Sequence, residues 1–346
     1  MIRVMSKFFF YIYRKFINSL DLNNKNGEKK LVEKNNQYFK LLTNNWSNKE
    51  IYHSKMQISE LNKNKNKKKR LPTPFLKWAG GKRQLLPQMQ KYFPSNFNQY
   101  IEPFVGGGAV FLFLYNEGFL KNKTFLIDTN EDLINTYKVV KNNVEDLIDD
   151  LKIHVNDKDY YYSVREKDRN QEIYNKMTFI EKASRIIYMN KCCYNGLYRV
   201  NSKGQFNVPF GKYKNPKFCD GENLRSVSLA LKNVELVHGS FEKVLNFAKK
   251  DDFIYFDPPY HPLSATSSFT SYTKDDFGMK YQEKLFEIFQ ELDKRRCKLM
   301  LSNSFSDFIR GLYEDYNKIE LKATRAINCD ATKRGKIKEI LIVNDF

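Results

Sequence analysis

"DFIYFDPPYHPLSAT", residues 252–266, is the stretch whose reading decides the fold. Phe253, Ile254, Tyr255 and Phe256 form a β-branched and aromatic run without polar alternation, the pattern of a parallel strand buried on both faces. Pro258 and Pro259 forbid its continuation, because proline has no N–H for the ladder and biases the residue before it away from helix. The chain is therefore held in one extended turn at the strand's carboxyl end, where open α/β sheets bind their ligands. An acid, Asp257, and an aromatic ring, Tyr260, are fixed in that turn, so the stretch predicts a rigid site.

Working outward, "QYIEPF" predicts another strand, "GGGAVFLFLYNEG" a turn entering a helix, "KTFLID" a strand and "NEDLINTYKVVKNN" a helix. Strands alternating with helices predict a parallel, doubly wound α/β sheet. The rhythm stops between about 150 and 234, where the chain is charged, tyrosine-rich and helical. It resumes through "VELVHGSF", "DDFIYFDPPY", "CKLMLSNS" and "KIKEILIVNDF". The expected organisation is a catalytic sheet formed by 71–150 and 235–346, interrupted by an inserted segment, 151–234. Residues 1–70 read as a basic, low-complexity extension ending in "LNKNKNKKKR", too polar to bury a core: a tether, or a source of nonspecific phosphate contacts.

The formal charge of +19 and pI near 9.4 favour polyanionic partners, nucleic acid ahead of an acidic membrane surface. An AT-biased genome that favours Lys and Asn accounts for part of the excess. Cys192, Cys193, Cys219, Cys297 and Cys329 show neither a C-x-x-C pair nor nearby His ligands, which argues against zinc, predicts no metal and fits a reducing cytoplasm. No uninterrupted apolar run reaches the roughly 18 residues of a membrane span. The opening "KFFFYIYRKFINSL" is broken by Arg14 and Lys15 and lacks a small-residue cleavage pattern, so an amphipathic segment is expected there rather than a signal peptide.

"EPFVGGGAVF" follows one strand and opens a helix. Gly106 and Gly108 permit backbone conformations and close ligand approach that a Cβ would forbid, and the helix N-terminus favours partial negative charge. Phe111 stands where a dinucleotide-binding loop would carry its third glycine, which weakens that reading. Asp128 ends the next strand about twenty residues on, where an acid characteristically accepts hydrogen bonds from ribose hydroxyls. In "PFLKWAGGKRQLLP", Gly81-Lys82 suggests a phosphate loop, yet Leu76 replaces its first glycine and Arg83 its magnesium-binding Ser or Thr, which disfavours a triphosphatase.

Together "PFLKWAGGKRQLLP", "EPFVGGGAVF", "NGLYRVNSKGQFNVPFGKYKNPK", "YFDPPYHPLSATSSFTSYT" and "RGKIKEI" resemble the DNA adenine-N6 methyltransferases of the Dam and DpnII type, in that family's order and over almost all of 71–346. The resemblance implies a Rossmann-like, seven-stranded methyltransferase fold with 151–234 as a helical and hairpin target-recognition domain. It also implies S-adenosyl-L-methionine as methyl donor, duplex DNA as substrate and, for its closest members, GATC as target, in a restriction-modification system with a possible cognate endonuclease or in a solitary Dam-type role. Carried over position by position, it makes Trp78, Lys82, Glu102, Phe104, Gly106, Gly108, Asp128, Ser240, Phe241 and Asp257 cofactor contacts. Ser240 stands where close relatives have Asp. Tyr194, Asn195, Leu197, Arg199, Asn201 and Pro209 become DNA contacts, with Arg199 suited to the O6 and N7 acceptors of a guanine. Lys203, Lys212 and Lys214 fall to phosphates.

An adenine in such a site explains the opening motif. Its exocyclic nitrogen is a poor nucleophile because the lone pair is delocalised into the ring. If the Asp257 carboxylate and the Pro258 carbonyl each accept one amino hydrogen, the nitrogen is drawn toward tetrahedral geometry, and Pro258 and Pro259 hold the acceptors still. Tyr260 offers a stacking face, and Ser264, Phe269, Thr270 and Tyr272 follow in a loop suited to closing over an extruded base. Two rivals stand beside this expectation: methylation of another planar amine, such as cytosine N4 or an RNA or protein amide, and DNA binding without catalysis.

Overall fold

A computed structural model describes residues 70–262, 277–324 and 336–346. Seven strands form one sheet: β1 (Tyr100–Pro103), β2 (Thr124–Asp128), β3 (Val234–His238), β4 (Phe253–Phe256), β5 (Lys298–Ser304), β6 (Asn317–Thr324) and β7 (Lys336–Val343), in the order β3-β2-β1-β4-β5-β7-β6. β1 to β5 run parallel, whereas β7 is antiparallel to both neighbours. The parallel part expected from the strand–helix alternation is β1 to β5, and β7 with β6 adds antiparallel pairings on one side. β6 and β7 follow one another and pair directly, which needs no helical crossover.

The topology locates the site. From β1 the chain winds outward through β2 and β3, then returns to β4 on the other side of β1 and winds outward again. β1 and β4 therefore flank the switch point, and the crevice outside their carboxyl ends is the expected ligand position. Pro103 leads into Phe104 there, and Phe256 into Asp257.

The helices explain why β4 is apolar throughout. Apart from the four-residue helix Leu86–Met89, those among the described residues are α1 (Ala109–Asn116), α2 (Glu131–Asn142), α3 (Val144–Ile153), α4 (Lys158–Glu166), α5 (Gln171–Lys176), α6 (Phe179–Cys192), α7 (Gly221–Ala230), α8 (Met279–Lys294) and α9 (Asp307–Leu312). Phe253 and Tyr255 of β4 join Tyr100, Phe111, Ile134 and Ile187 in one apolar cluster under α1, α2 and α6. Ile254 and Phe256 point the other way and join Leu285, Phe289 and Leu292 of α8. Each strand residue thus meets a helix layer, and β4 is wholly buried. α8 earns its place by spacing, with Gln282, Leu285, Ile288, Phe289 and Leu292 buried along one face.

The segment 151–234 supplies α4 to α7 and a hairpin. α6 is started by a capping box, Thr178 with Glu181, and its inner face shares the first apolar cluster with the sheet. The hairpin is marked by bridges Cys193–Phe210 and Val200–Phe206. Asp168 fixes it to the helices: its carboxylate pairs with buried Arg185 at 2.8 Å and accepts from the Phe206 N–H at 2.8 Å. Among the described residues no helix is long and apolar enough to cross a membrane. Residues 1–69 of the basic extension, the loop residues Ser264, Phe269, Thr270 and Tyr272, Cys329, and Arg334 and Gly335 of "RGKIKEI" lie outside the described residues.

Candidate active site

Asp257 stands one residue past β4. Its Oδ1 lies 2.6 Å from the Lys82 ammonium, which is 3% exposed against 20% for the carboxylate. The same ammonium donates to the Gly80 carbonyl at 2.6 Å and lies 4.7 Å from the centre of the Tyr260 ring. Burial raises the Asp257 pKa to about 6, Lys82 pulls it down, and Glu339 pushes it up. The Lys82–Asp257 contact joins residues 175 positions apart, and the sequence offered no sign of it.

The turn is rigid for reasons beyond its prolines. The Gln282 amide donates to the Pro259 carbonyl at 2.9 Å, and buried Asn303 donates to Gln282 at 3.0 Å. Asn303 Oδ1 accepts from the His261 N–H at 3.1 Å. The Tyr260 hydroxyl donates to Glu339 at 2.7 Å. Among the described residues no donor reaches the Pro258 carbonyl, so the turn presents a carboxylate and one main-chain oxygen side by side in sequence. Sequence reasoning missed Gln282, Asn303 and Glu339. Asn303 lies in the polar Ser302–Ser304 end of β5, after the apolar Leu299–Leu301, and Glu339 lies in "RGKIKEI", signals that could have drawn attention to them; Gln282 carries none.

The other candidates gather at the carboxyl end of β1. Gly106, at φ +47°, donates its N–H to Asp128 Oδ2 at 3.1 Å, and a Cβ there would lie 2.7 Å from the Trp78 ring. Asp128 Oδ1 accepts from the Asn130 N–H at 2.9 Å, and burial raises its pKa despite both bonds. Gly108 caps α1 in a left-handed conformation. Phe104 is itself left-handed, at φ +80°, a strained position for a side chain of this size. Its ring stacks on Phe241 at 5.2 Å and meets Phe277 edge-on. The Ser240 hydroxyl caps the following turn by accepting from the Glu242 N–H.

Glu102 sits deeper than a surface contact. It is buried, accepts from the Tyr100 hydroxyl at 2.7 Å and from the Phe111 N–H at 3.1 Å, and burial pushes its pKa to about 8, with the nearby Asp257 charge adding to the rise.

The proposed DNA contacts come together on the hairpin. Exposed Tyr194 donates its N–H to the Pro209 carbonyl at 2.8 Å, Asn195 is left-handed, and Asn201 donates its side-chain amide to Gln205 at 2.9 Å. Arg199 is exposed, with Nε donating to Asn207 Oδ1 at 2.7 Å. Leu197 is half-buried at the hairpin base. Two residues missed by sequence reasoning tie this hairpin to Lys77 and Trp78. Tyr198 stacks on Trp78 with ring centres 5.1 Å apart, and Asn190 bonds both the Lys77 backbone and the Gly196 carbonyl.

Comparison with known proteins identifies the family. The profile of the family described as "D12 class N6 adenine-specific DNA methyltransferase" matches residues 78–327. The type II methyltransferase M.MjaIII of Methanocaldococcus jannaschii is 48% identical over 78% of this chain and 98% of its own. The type II methyltransferase M1.LlaDCHI of Lactococcus lactis subsp. cremoris is 47% identical over 78% and 95%. A DNA adenine methylase of Haemophilus influenzae is 38% identical over 78% and 93%. The switch-point crevice, its Asp-Pro-Pro-Tyr turn and these relatives lead to one conclusion: the chain belongs to the D12 class of adenine-specific DNA methyltransferases, enzymes that methylate adenine at N6.

Proposed function

We propose that the chain methylates an adenine swung out of duplex DNA, within GATC, using S-adenosyl-L-methionine as donor. The observation that carries this reading is the pair of acceptors after β4: an Asp257 carboxylate, and a Pro258 carbonyl that no described donor engages. Together they can take both hydrogens of an exocyclic amino group and orient its lone pair.

The residues around β1 fit the donor. Gly106 lies against Trp78 so closely that a Cβ would clash, and Asp128 ends β2 with a half-buried carboxylate facing the same turn. Trp78, Lys82, Glu102, Phe104, Gly106, Gly108, Asp128, Ser240 and Phe241 would line its site, with Phe104 and Phe241 supplying stacked apolar rings. Bound there, the donor supplies an electrophilic methyl group. Asp257 and Pro258 hold the acceptor nitrogen, and Tyr260 offers a face for the base, worth about 1–3 kcal/mol. That gain offsets part of the few kcal/mol that unstacking and unpairing cost.

On the DNA side, 151–234 serves as the recognition segment and 71–150 with 235–346 as the catalytic one. Tyr194, Asn195, Leu197, Arg199, Asn201 and Pro209 would face the bases, with Arg199 leaving Asn207 to grip a guanine. Two relatives bear the name type II methyltransferase, which supports a companion endonuclease cutting the same site, in the cytoplasm where DNA and donor meet.

Mapping N6-methyladenine across a plasmid, with and without expression, tests the target. Methyladenine is expected at GATC; modification confined to another sequence would refute that assignment. In the same assay Arg199→Ala is expected to cost roughly 1–3 kcal/mol of discrimination at one guanine. Equal weakening on every duplex would instead make Arg199 a phosphate contact.

A further inference from the structure

The described part of "RGKIKEI" begins β7, and the antiparallel course of that strand matters. β7 starts where the parallel strands end, so Glu339, which pairs with Ser304 at the carboxyl end of β5, reaches the crevice from the sheet's far side. There its carboxylate accepts the Tyr260 hydroxyl at 2.7 Å, the length of a charge-assisted bond. The Lys82 ammonium lies over the Tyr260 ring and pairs with Asp257. The phenol is thus held at its edge by one charge and covered on a face by another. The face turned away from the Lys82 ammonium is the one on which a base would stack.

We infer that Glu339 is a positioning residue for methyl transfer: by accepting the Tyr260 hydroxyl it fixes the plane of the ring on which the target base stacks beside Asp257. The inference rests on the extruded-base reading proposed above. Without that bond the ring can turn about its side-chain torsions, and the base it carries leaves the line between acceptor and methyl group. Proximity catalysis is lost steeply with such displacement.

The test uses the full chain with Glu339→Leu, Glu339→Gln, Tyr260→Phe and the double variant Glu339→Leu/Tyr260→Phe. Single-turnover methyl transfer to a GATC duplex is measured beside donor binding by calorimetry and the fluorescence of 2-aminopurine at the target position. Glu339→Leu and Tyr260→Phe are each expected to slow transfer by about 10- to 100-fold and to blunt the fluorescence rise, with donor binding retained. Glu339→Gln, whose amide oxygen still accepts the phenol, should recover most of the loss.

The double variant should be no worse than either single one, because both remove the same contact. Additive losses would overturn the inference. So would a Tyr260→Phe enzyme at full rate, a result that holds even if Glu339→Leu fails to fold. Absence of a fluorescence rise in the wild type would refute base extrusion and the inference with it. A wild-type rise that persists unchanged in the variants would refute the inference alone.

Discussion

Asp257→Ala is expected to lower kcat by about 10²–10³-fold, the scale of removing one preorganised electrostatic group from an active site, while duplex binding stays close to wild type. Asp257 and Pro258 stand at the switch point, whereas the hairpin that carries Arg199 and Tyr194 is tied down by Asp168, Arg185 and Asn190. Loss of the carboxylate therefore removes orientation of the amino group without touching those contacts. It also leaves buried Lys82 without its partner, and breaking a buried pair costs about 3–5 kcal/mol. Asp257→Ala combined with Lys82→Met removes that penalty, so the paired variant separates unfolding from lost chemistry. A single variant that melts normally and keeps near-full kcat would refute the acceptor role; gel-shift titration and a tritiated-methyl assay supply both readouts.

Lys82→Met tests the other half of the pair. In the wild type Asp257 titrates at about 6, above its ordinary 3.8. The folded chain therefore holds this proton more tightly than the unfolded one, and ionising the group costs stability as pH rises from about 4 to about 6. In the proposed mechanism the ionised form is the acceptor, so kcat/KM for the wild type should climb through an acid limb near 6. Removing Lys82 removes the charge that pulls the pKa down, so the limb should move to higher pH. Activity at neutral pH should then fall sharply and recover in part at alkaline pH. Any part that does not recover measures the role of Lys82 in donor binding. A limb that stays in place or moves to lower pH would show that the ammonium does not govern this carboxylate.

Much of the sheet was legible because burial on both faces leaves a local trace. β4 and the apolar stretch of β7 are runs of large apolar residues, and "EPFVGGG" combines a strand end with the glycines that its turn requires. β6 was not legible. "NKIELKAT" alternates Lys and Glu with Ile, Leu and Ala, as a charged edge strand does, and such alternation is weaker than a continuous run. The antiparallel entry of β7 left no trace either, since direction is set by which neighbour a strand pairs with.

The site was legible where chemistry is local. Asp257, Pro258, Pro259 and Tyr260 are consecutive, and their backbone constraint is written in the two prolines. The residues that hold this turn are not local: Lys82, Gln282, Asn303 and Glu339 come from four separate segments. Each contact depends on how the sheet winds, which no short stretch encodes. The resemblance makes Lys82 a donor contact, and the structure adds an ion pair between its ammonium and Asp257.

A structure of the enzyme with a GATC duplex and a non-reactive donor analogue examines the central claim most directly. The target adenine is expected outside the duplex, its N6 within hydrogen-bond reach of both an Asp257 carboxylate oxygen and the Pro258 carbonyl. An adenine whose N6 bonds to neither oxygen would contradict the account.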